Sequence, residues 1–152
     1  MELIEDTRNK VGEHKNVADY CKRHGITLIR EALKVGDYMF PDGFISVDTK
    51  KNLLECYGNL CHDHKRFKAE LIRANDLGIK LIVLVEHGGA IRSLESVREW
   101  TNPRLKYSPY AWNGERLYGV MRTVADRYGV EWAFCDKRQT GKRIIEILGG
   151  KT

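Results

Sequence analysis

Asp37, Asp48 and Lys50 are the side chains whose types and spacing can do chemistry. They stand in Val35-Gly36-Asp37-Tyr38 and, one turn later, in Ile45-Ser46-Val47-Asp48-Thr49-Lys50. On a β-strand successive side chains point to opposite faces, so Asp48 and Lys50 project together while Val47 and Thr49 face away. If the strands pair as a hairpin across the Pro41-Asp42-Gly43 turn, Asp37 converges with them at one end of a sheet. Two carboxylates ~4 Å apart repel by roughly 4 kcal/mol at an effective dielectric near 20. A divalent cation between them removes that conflict. Hard oxygen ligands select Mg²⁺ or Mn²⁺, an ion able to polarise a phosphoryl oxygen and to acidify bound water. The spacing is that of a metal-dependent phosphodiesterase. Each residue alone has a plainer reading: Asp37 follows a glycine and fits a turn, and Asp48 with Lys50 fits one exposed ion pair. Taken jointly, with Asp6 on a neighbouring apolar strand, they favour the catalytic reading.

The elements that must position these groups follow from periodicity. Residues 3–7 form a short strand, and 10–24 a helix with Val11, Val17, Ala18 and Cys21 on one face, ended by Gly25. Residues 26–33 and 35–40 are strand-like, and 44–50 is the strand carrying Asp48 and Lys50. Leu53, Leu54, Tyr57, Leu60 and Cys61 repeat at helical spacing directly behind the site. Phe67, Leu71 and Ala74 mark the next helix, closed by Gly78. The apolar run 81–85 predicts a central strand covered on both faces. Ser93 caps a short helix ending near Trp100. Leu117, Val120, Met121, Val124, Ala125 and Tyr128 form a helical stripe that Gly129 stops, 130–135 alternates as a strand, and Thr140 caps a last helix. There is no internal repeat.

With Leu3-Ile4-Glu5-Asp6-Thr7-Arg8 upstream, this order of motifs resembles the XPF-type nuclease domain, a branch of the restriction-endonuclease-like PD-(D/E)xK superfamily. The family reads V-D-x-R-E, then G-D-Y, then E-R-K-x-x-x-D. Asp6 and Arg8 match the first motif, with Asn9 in place of Glu; Gly36, Asp37 and Tyr38 match the second unchanged. In the third, Asp48 stands for Glu, Thr49 for Arg, and Lys50 matches. The fourth acidic position is Leu54, with Glu55 one step on; Glu55 and Glu86 are the candidates to replace it. The resemblance covers nearly the whole chain. It implies an α/β, restriction-endonuclease-like core with a central mixed β-sheet flanked by α-helices, and a metal-dependent endonuclease acting on branched, flapped or nicked DNA in recombination or repair. It further implies that Asp37 and Asp48 hold Mg²⁺ or Mn²⁺, that Asp6 adds a direct or water-mediated ligand, and that Lys50 orients the attacking water and offsets phosphate charge. A homodimer or heterodimer through the nuclease domain is expected by the same analogy. Tyr38 reads as packing. Arg8 either holds the scissile phosphate or pairs with Asp6, and Glu86 is either a further ligand or a loop-edge carboxylate.

The 152 residues, 42% hydrophobic, suffice for one core, so a single domain over 1–152 is expected, without a helix-hairpin-helix module. Lys plus Arg number 26 against 21 Asp plus Glu, a net charge of +5 that favours a polyanionic partner. No signal-like or membrane-spanning apolar run is present, and a cytoplasmic location is expected. Cys21, Cys56, Cys61 and Cys135 fit a reducing compartment as core thiols. Cys56, Cys61, His62 and His64 invite a zinc reading, but zinc-ligand spacing is lacking and both cysteines fall on a helical pattern. Residues 101–116 carry Arg104, Lys106, Tyr107, Tyr110, Trp112 and Arg116, a mix suited to phosphate contacts and to stacking on unpaired bases. The same aromatics also suit pinning a long loop to the core, and both readings stand. Gly150-Lys151-Thr152 lacks the earlier glycine of a phosphate-binding loop, so no nucleotide cofactor is expected. The competing function is a catalytically silent DNA-binding or partner-docking module on the same fold.

Overall fold

The computed structural model describes residues 1–149. Gly150, Lys151 and Thr152, where no nucleotide site was expected, lie outside the described residues. In chain order the elements are β1 (Glu2–Glu5), α1 (Lys15–Arg23), β2 (Thr27–Arg30), β3 (Tyr38–Met39), β4 (Ile45–Lys50), α2 (Leu53–Cys61), α3 (His64–Asp76), β5 (Lys80–Val85), α4 (Gly114–Tyr128), β6 (Glu131–Phe134) and α5 (Thr140–Ile147). The strands form one six-stranded sheet in the order β2-β1-β3-β4-β5-β6. Only β3 runs antiparallel to its neighbours, β1 and β4; the other pairs are parallel. Five strands therefore end at one edge of the sheet, which collects the loops that follow them.

Helices cover both faces. Val35, Val83 and Val85 pack with residues of α2, α3 and α4 on one side, and Leu3, Tyr38, Val47 and Leu84 pack with α1 and α5 on the other. In β5, Leu81, Val83 and Val85 belong to the first core and Leu84 to the second, and Ile82 is buried too, which is why 81–85 is apolar throughout. The α4 stripe is buried through Leu117, Tyr118 and Met121, and Gly129 closes the helix in the left-handed region at φ 71. Among the described residues no helix is long and apolar enough to cross a membrane.

Several boundaries differ from the sequence reading. The first helix begins at Lys15 rather than near residue 10, because the preceding residues fold into turns, with the Lys10 amide donating to the Glu13 carboxylate at 2.9 Å. The strand expected over 26–33 stops at Arg30, since β2 is an edge strand with only four residues of β1 to pair with. The short helix after Ser93 is a 3-10 turn over Glu95–Glu99. Thr140 is not the cap of α5 but lies inside its first turn, and its buried hydroxyl donates to Glu86 Oε2 at 2.6 Å.

Candidate active site

The β3–β4 hairpin brings Asp37 to β4 through a kink. Gly36 has φ +75, and a Cβ there would collide with Ser46 Oγ. The left-handed, closely packed glycine bends the chain so that the Asp37 amide donates to the Val47 carbonyl at 2.8 Å, while Asp37 Oδ2 accepts from both the Thr49 amide (2.8 Å) and the Thr49 hydroxyl (2.9 Å). Such kinks re-aim side chains beside a site. Gly36→Ala is expected to lower stability by about 1–3 kcal/mol, since the backbone conformation and the contact with Ser46 both resist a side chain. Denaturant unfolding midpoints of the variant and the parent check this.

On the other side, the β1–β3 register (Ile4 with Met39, Glu5 with Tyr38) continues one step to put Asp6 beside Asp37, and the Asp6 amide donates to the Asp37 carbonyl at 2.8 Å. Asp48 and Lys50 project from β4 to the α2–α3 side, with Lys50 Nζ 3.0 Å from Asp48 Oδ2 and 5.9 Å from the Phe67 ring centre. Asp6, Asp37, Asp48 and Lys50 thus line one cleft of about 290 Å³ at the edge where the parallel strands end. These are the four residues that the sequence reading grouped. Tyr38 is wholly buried on the opposite face, its hydroxyl donating to Glu5 Oε2 at 2.5 Å, in keeping with a packing role.

Neither candidate for the fourth acidic position lines this cleft. The Glu55 carboxylate accepts from the Lys51 amide at 2.9 Å while Asn52 Oδ1 accepts from the Glu55 amide at 3.0 Å, a reciprocal cap on α2. Glu86 is held by Thr140. The cleft instead contains Glu70 of α3, together with Asn59, Asp63 and Arg66. Glu70 was legible: it falls between Phe67, Leu71 and Ala74, a carboxylate inside the buried stripe of α3.

Burial pushes the Asp48 carboxyl well above its ordinary range; Lys50 opposes this, and Asp37 and Glu70 add to it. Glu70 is raised for the same reason, by burial and by Asp37, against the pull of Lys50. Burial works against the Lys50 charge, but Asp48 outweighs it and its ammonium is held more firmly protonated than usual. The cleft lining carries five carboxylates (Asp6, Asp37, Asp48, Asp63, Glu70) against Arg8, Lys50 and Arg66, an excess of two negative charges when all are ionised.

Among the described residues no group of three or more His, Cys, Asp or Glu side chains is placed to hold a metal ion by itself. Two observations nevertheless fit a divalent cation of the Mg²⁺ type, which commonly uses one or two carboxylates plus water and substrate oxygens. Asn59 Oδ1 is buried without a hydrogen-bond partner, the buried Asp48 Oδ2 has only Lys50 Nζ beside it, and both residues line this cleft. The charge excess is that of one such ion. Asp6 is differently placed: Oδ2 is paired with Arg8 Nε, and Oδ1 accepts from the Leu33 amide at 2.9 Å. Arg8 thus pairs with Asp6 while its side chain remains 58% exposed at the cleft.

The expected DNA loop divides. Tyr107 and Tyr110 are 86% and 87% exposed, and Arg104 and Lys106 lie on an exposed 3-10 turn, Pro103–Lys106. Trp112 instead meets Tyr57 edge-on at 5.6 Å and carries the Arg116 guanidinium 5.0 Å over its ring. Trp112 and Arg116 thereby serve to pin the loop to α2 and α4. Cys56 is buried in α2, where the apolar surroundings push its thiol far up.

Sheet order, a single antiparallel insertion and helices on both faces define a restriction-endonuclease-like fold with an acidic cleft at the strand ends. In particular, the fold is similar to part of XPF: the structure of XPF from Aeropyrum pernix superposes over 97% of this chain with a TM-score of 0.70 at 20% identity. XPF from Aeropyrum pernix in complex with DNA gives 0.65 at 23% identity, again over 97% of the chain. This chain spans 63% and 62% of the length of those two. No protein-family model and no curated protein sequence matches it.

Proposed function

We propose that this chain is a divalent-metal-dependent DNA endonuclease that hydrolyses phosphodiester bonds in branched, flapped or nicked DNA during recombination or repair. The observation that carries this reading is the buried Asp48 carboxylate, paired with Lys50 at 3.0 Å, in a cleft that it shares with Asp37. Asp37 and Asp48 would hold Mg²⁺ or Mn²⁺, with Asn59 and Glu70 as nearby oxygen donors and Asp6 acting through water. When bound, the ion supplies positive charge beside the scissile phosphate and acidifies a water. Thr49 fixes the Asp37 carboxylate by two hydrogen bonds, so its orientation is set before substrate arrives. Lys50, pulled into the cleft by Asp48, orients the attacking water and offsets the charge developing on the phosphate. Arg8, anchored on Asp6 through Nε and on the Leu33 and Gly36 carbonyls through Nη2, would present Nη1 to a phosphate oxygen. Association through this domain into a homodimer or heterodimer belongs to the same reading, and sedimentation analysis tests it.

The silent-module alternative has one observation in its favour: both oxygens of Asp6 are already engaged. Incubation with fork, flap, Holliday-junction and linear duplex DNA in Mg²⁺, Mn²⁺ or EDTA decides between them. Metal-dependent strand scission is the expected result; DNA binding without scission in any metal leaves the silent module.

Exposed Tyr110 is the residue for base stacking. Tyr110→Ala is expected to weaken single-stranded and branched DNA by roughly 1–3 kcal/mol relative to plain duplex, with an unchanged melting temperature. Trp112→Ala should instead lower the melting temperature and affect both DNA forms alike. Anisotropy titrations paired with thermal melts separate the two.

A further inference from the structure

The acidic cleft occupies only the β1, β3 and β4 end of the sheet edge. Further along the same edge, two more clefts open where β5 and β6 end. One, of about 240 Å³, is lined by Lys15, Lys51 and Lys137, and the other, of about 410 Å³, by Arg92, Arg138 and Arg143. We propose that these six cations form a phosphate track that continues from the acidic cleft and carries the DNA arm beside the cut site. The inference rests on the nuclease reading above and extends it to where the substrate lies.

Three features support it. First, the cations are available. Lys15, Lys51, Lys137 and Arg92 are exposed and enter none of the ion pairs found among the described residues. Arg138 pairs with Asp136 at 3.0 Å, and Arg143 reaches Glu146 only at 3.9 Å, both at the surface, where a phosphate competes on equal terms. Second, the cations outnumber the acids: the two clefts carry only Glu13, Glu86 and Asp136 against the six cations, and each of these carboxylates is held in place by a local hydrogen bond, from the Lys10 amide, the Thr140 hydroxyl and the Arg138 amide respectively. Third, the track is continuous with the site. At the end of β4, Lys50 lines the acidic cleft on the α2–α3 side and the next residue, Lys51, lines the first basic cleft on the α1–α5 side, so the two clefts meet across the sheet edge. The ends of β4 and β5 are tied together by the Leu53 amide, which donates to His87 Nδ1 at 3.0 Å.

The spacing gives the track a length. Adjacent strands lie ~4.8 Å apart, so β4 to β6 covers roughly 10 Å. Phosphates of one strand advance ~3.4 Å along a duplex axis, so a duplex following the edge meets the β6 cations about three nucleotides from the scissile bond. An acidic partner protein would need no such register.

The test uses the full chain and a fluorescein-labelled fork DNA in EDTA, so that binding is read without cleavage. Lys51→Glu/Lys137→Glu, and independently Arg92→Glu, are compared with Lys22→Glu/Arg23→Glu, an exposed pair at the far end of α1. The track predicts that the edge double variant weakens binding at least tenfold. The slope of log K against log[salt] should become shallower by about 0.9 for each phosphate that the variant no longer neutralises. The Lys22/Arg23 control should bind as the parent does, and phosphate ethylation about three nucleotides from the cut should block the parent but not the double variant. Equal losses in edge and control variants would overturn the track while leaving the nuclease reading intact. A parent that binds no DNA would overturn both, and edge-dependent binding without metal-dependent scission would uphold the track and overturn only the catalysis.

Discussion

Asp48→Asn should reduce cleavage by on the order of 10³-fold while DNA affinity stays within about twofold of the parent, because it deletes one charge at the proposed metal position and leaves the basic surface untouched. The same substitution has a second signature. A carboxylate whose folded pKa is raised holds its proton more tightly in the folded than in the unfolded chain. Folding is then favoured at low pH, and that contribution is lost as pH rises from the ordinary carboxylate range through the folded value. Asp48 and Glu70 are both shifted this way. Metal-free parent protein should therefore lose stability as pH rises out of the acid range, and saturating Mg²⁺ or Mn²⁺ should restore it. Asp48→Asn should show a shallower loss and little metal-induced rise in melting temperature. Cleavage, anisotropy and thermal melts from about pH 4 to 8, in EDTA and in metal, check the whole set. Cutting at the parent rate by a folded Asp48→Asn would remove Asp48 from the chemistry.

Lys50→Ala should fail twice. Cleavage should fall by about 10²–10³-fold, since a positioned positive charge at the developing phosphate charge is lost. Stability at neutral pH should fall by roughly 3–5 kcal/mol, because Asp48 is left buried without its partner. Lys50 and Asp48 side chains are only 15% and 10% exposed, so water does little to rescue the orphan. That penalty should shrink as pH is lowered and Asp48 takes up a proton. Lys50→Ala with Asp48→Asn should recover most of the stability and none of the activity. A double-mutant cycle in urea, run alongside the cleavage assay, measures the coupling. Strict additivity of the two substitutions would show that the pair is not coupled in the folded chain.

The sequence alone determined the elements and the face on which chemistry could occur. Alternation along 45–50 put Asp48 and Lys50 on one side, the unbroken apolar run at 81–85 fixed a central strand, and the stripe ending at Gly129 fixed α4. These are local patterns, set by the two-residue repeat of a strand and the 3.6-residue repeat of a helix, and they survive folding because each element buries its own apolar face. The order of Asp6, Gly36-Asp37-Tyr38 and Asp48-Thr49-Lys50 carried the fold family as well.

What the tertiary structure decided is every partnership between distant segments. That β2 is an edge strand beside β1, and that Asp6 is taken up by Arg8 and Leu33, follow from pairing that no local pattern encodes. Glu55 and Glu86 left the candidate site because nearby donors, the Lys51 amide and the Thr140 hydroxyl, claimed them. Glu70 entered it because α3 packs on β5, the neighbour of β4, which brings a carboxylate in an otherwise apolar stripe into the cleft with Asp48. Trp112 and Tyr110 are two residues apart and look equally suited to stacking. Only the position of Tyr57 sends one ring into the core packing and leaves the other in solvent. The charge at the cleft is likewise a sum over separate segments of chain, and its excess of negative charge exists only once folding has brought them together.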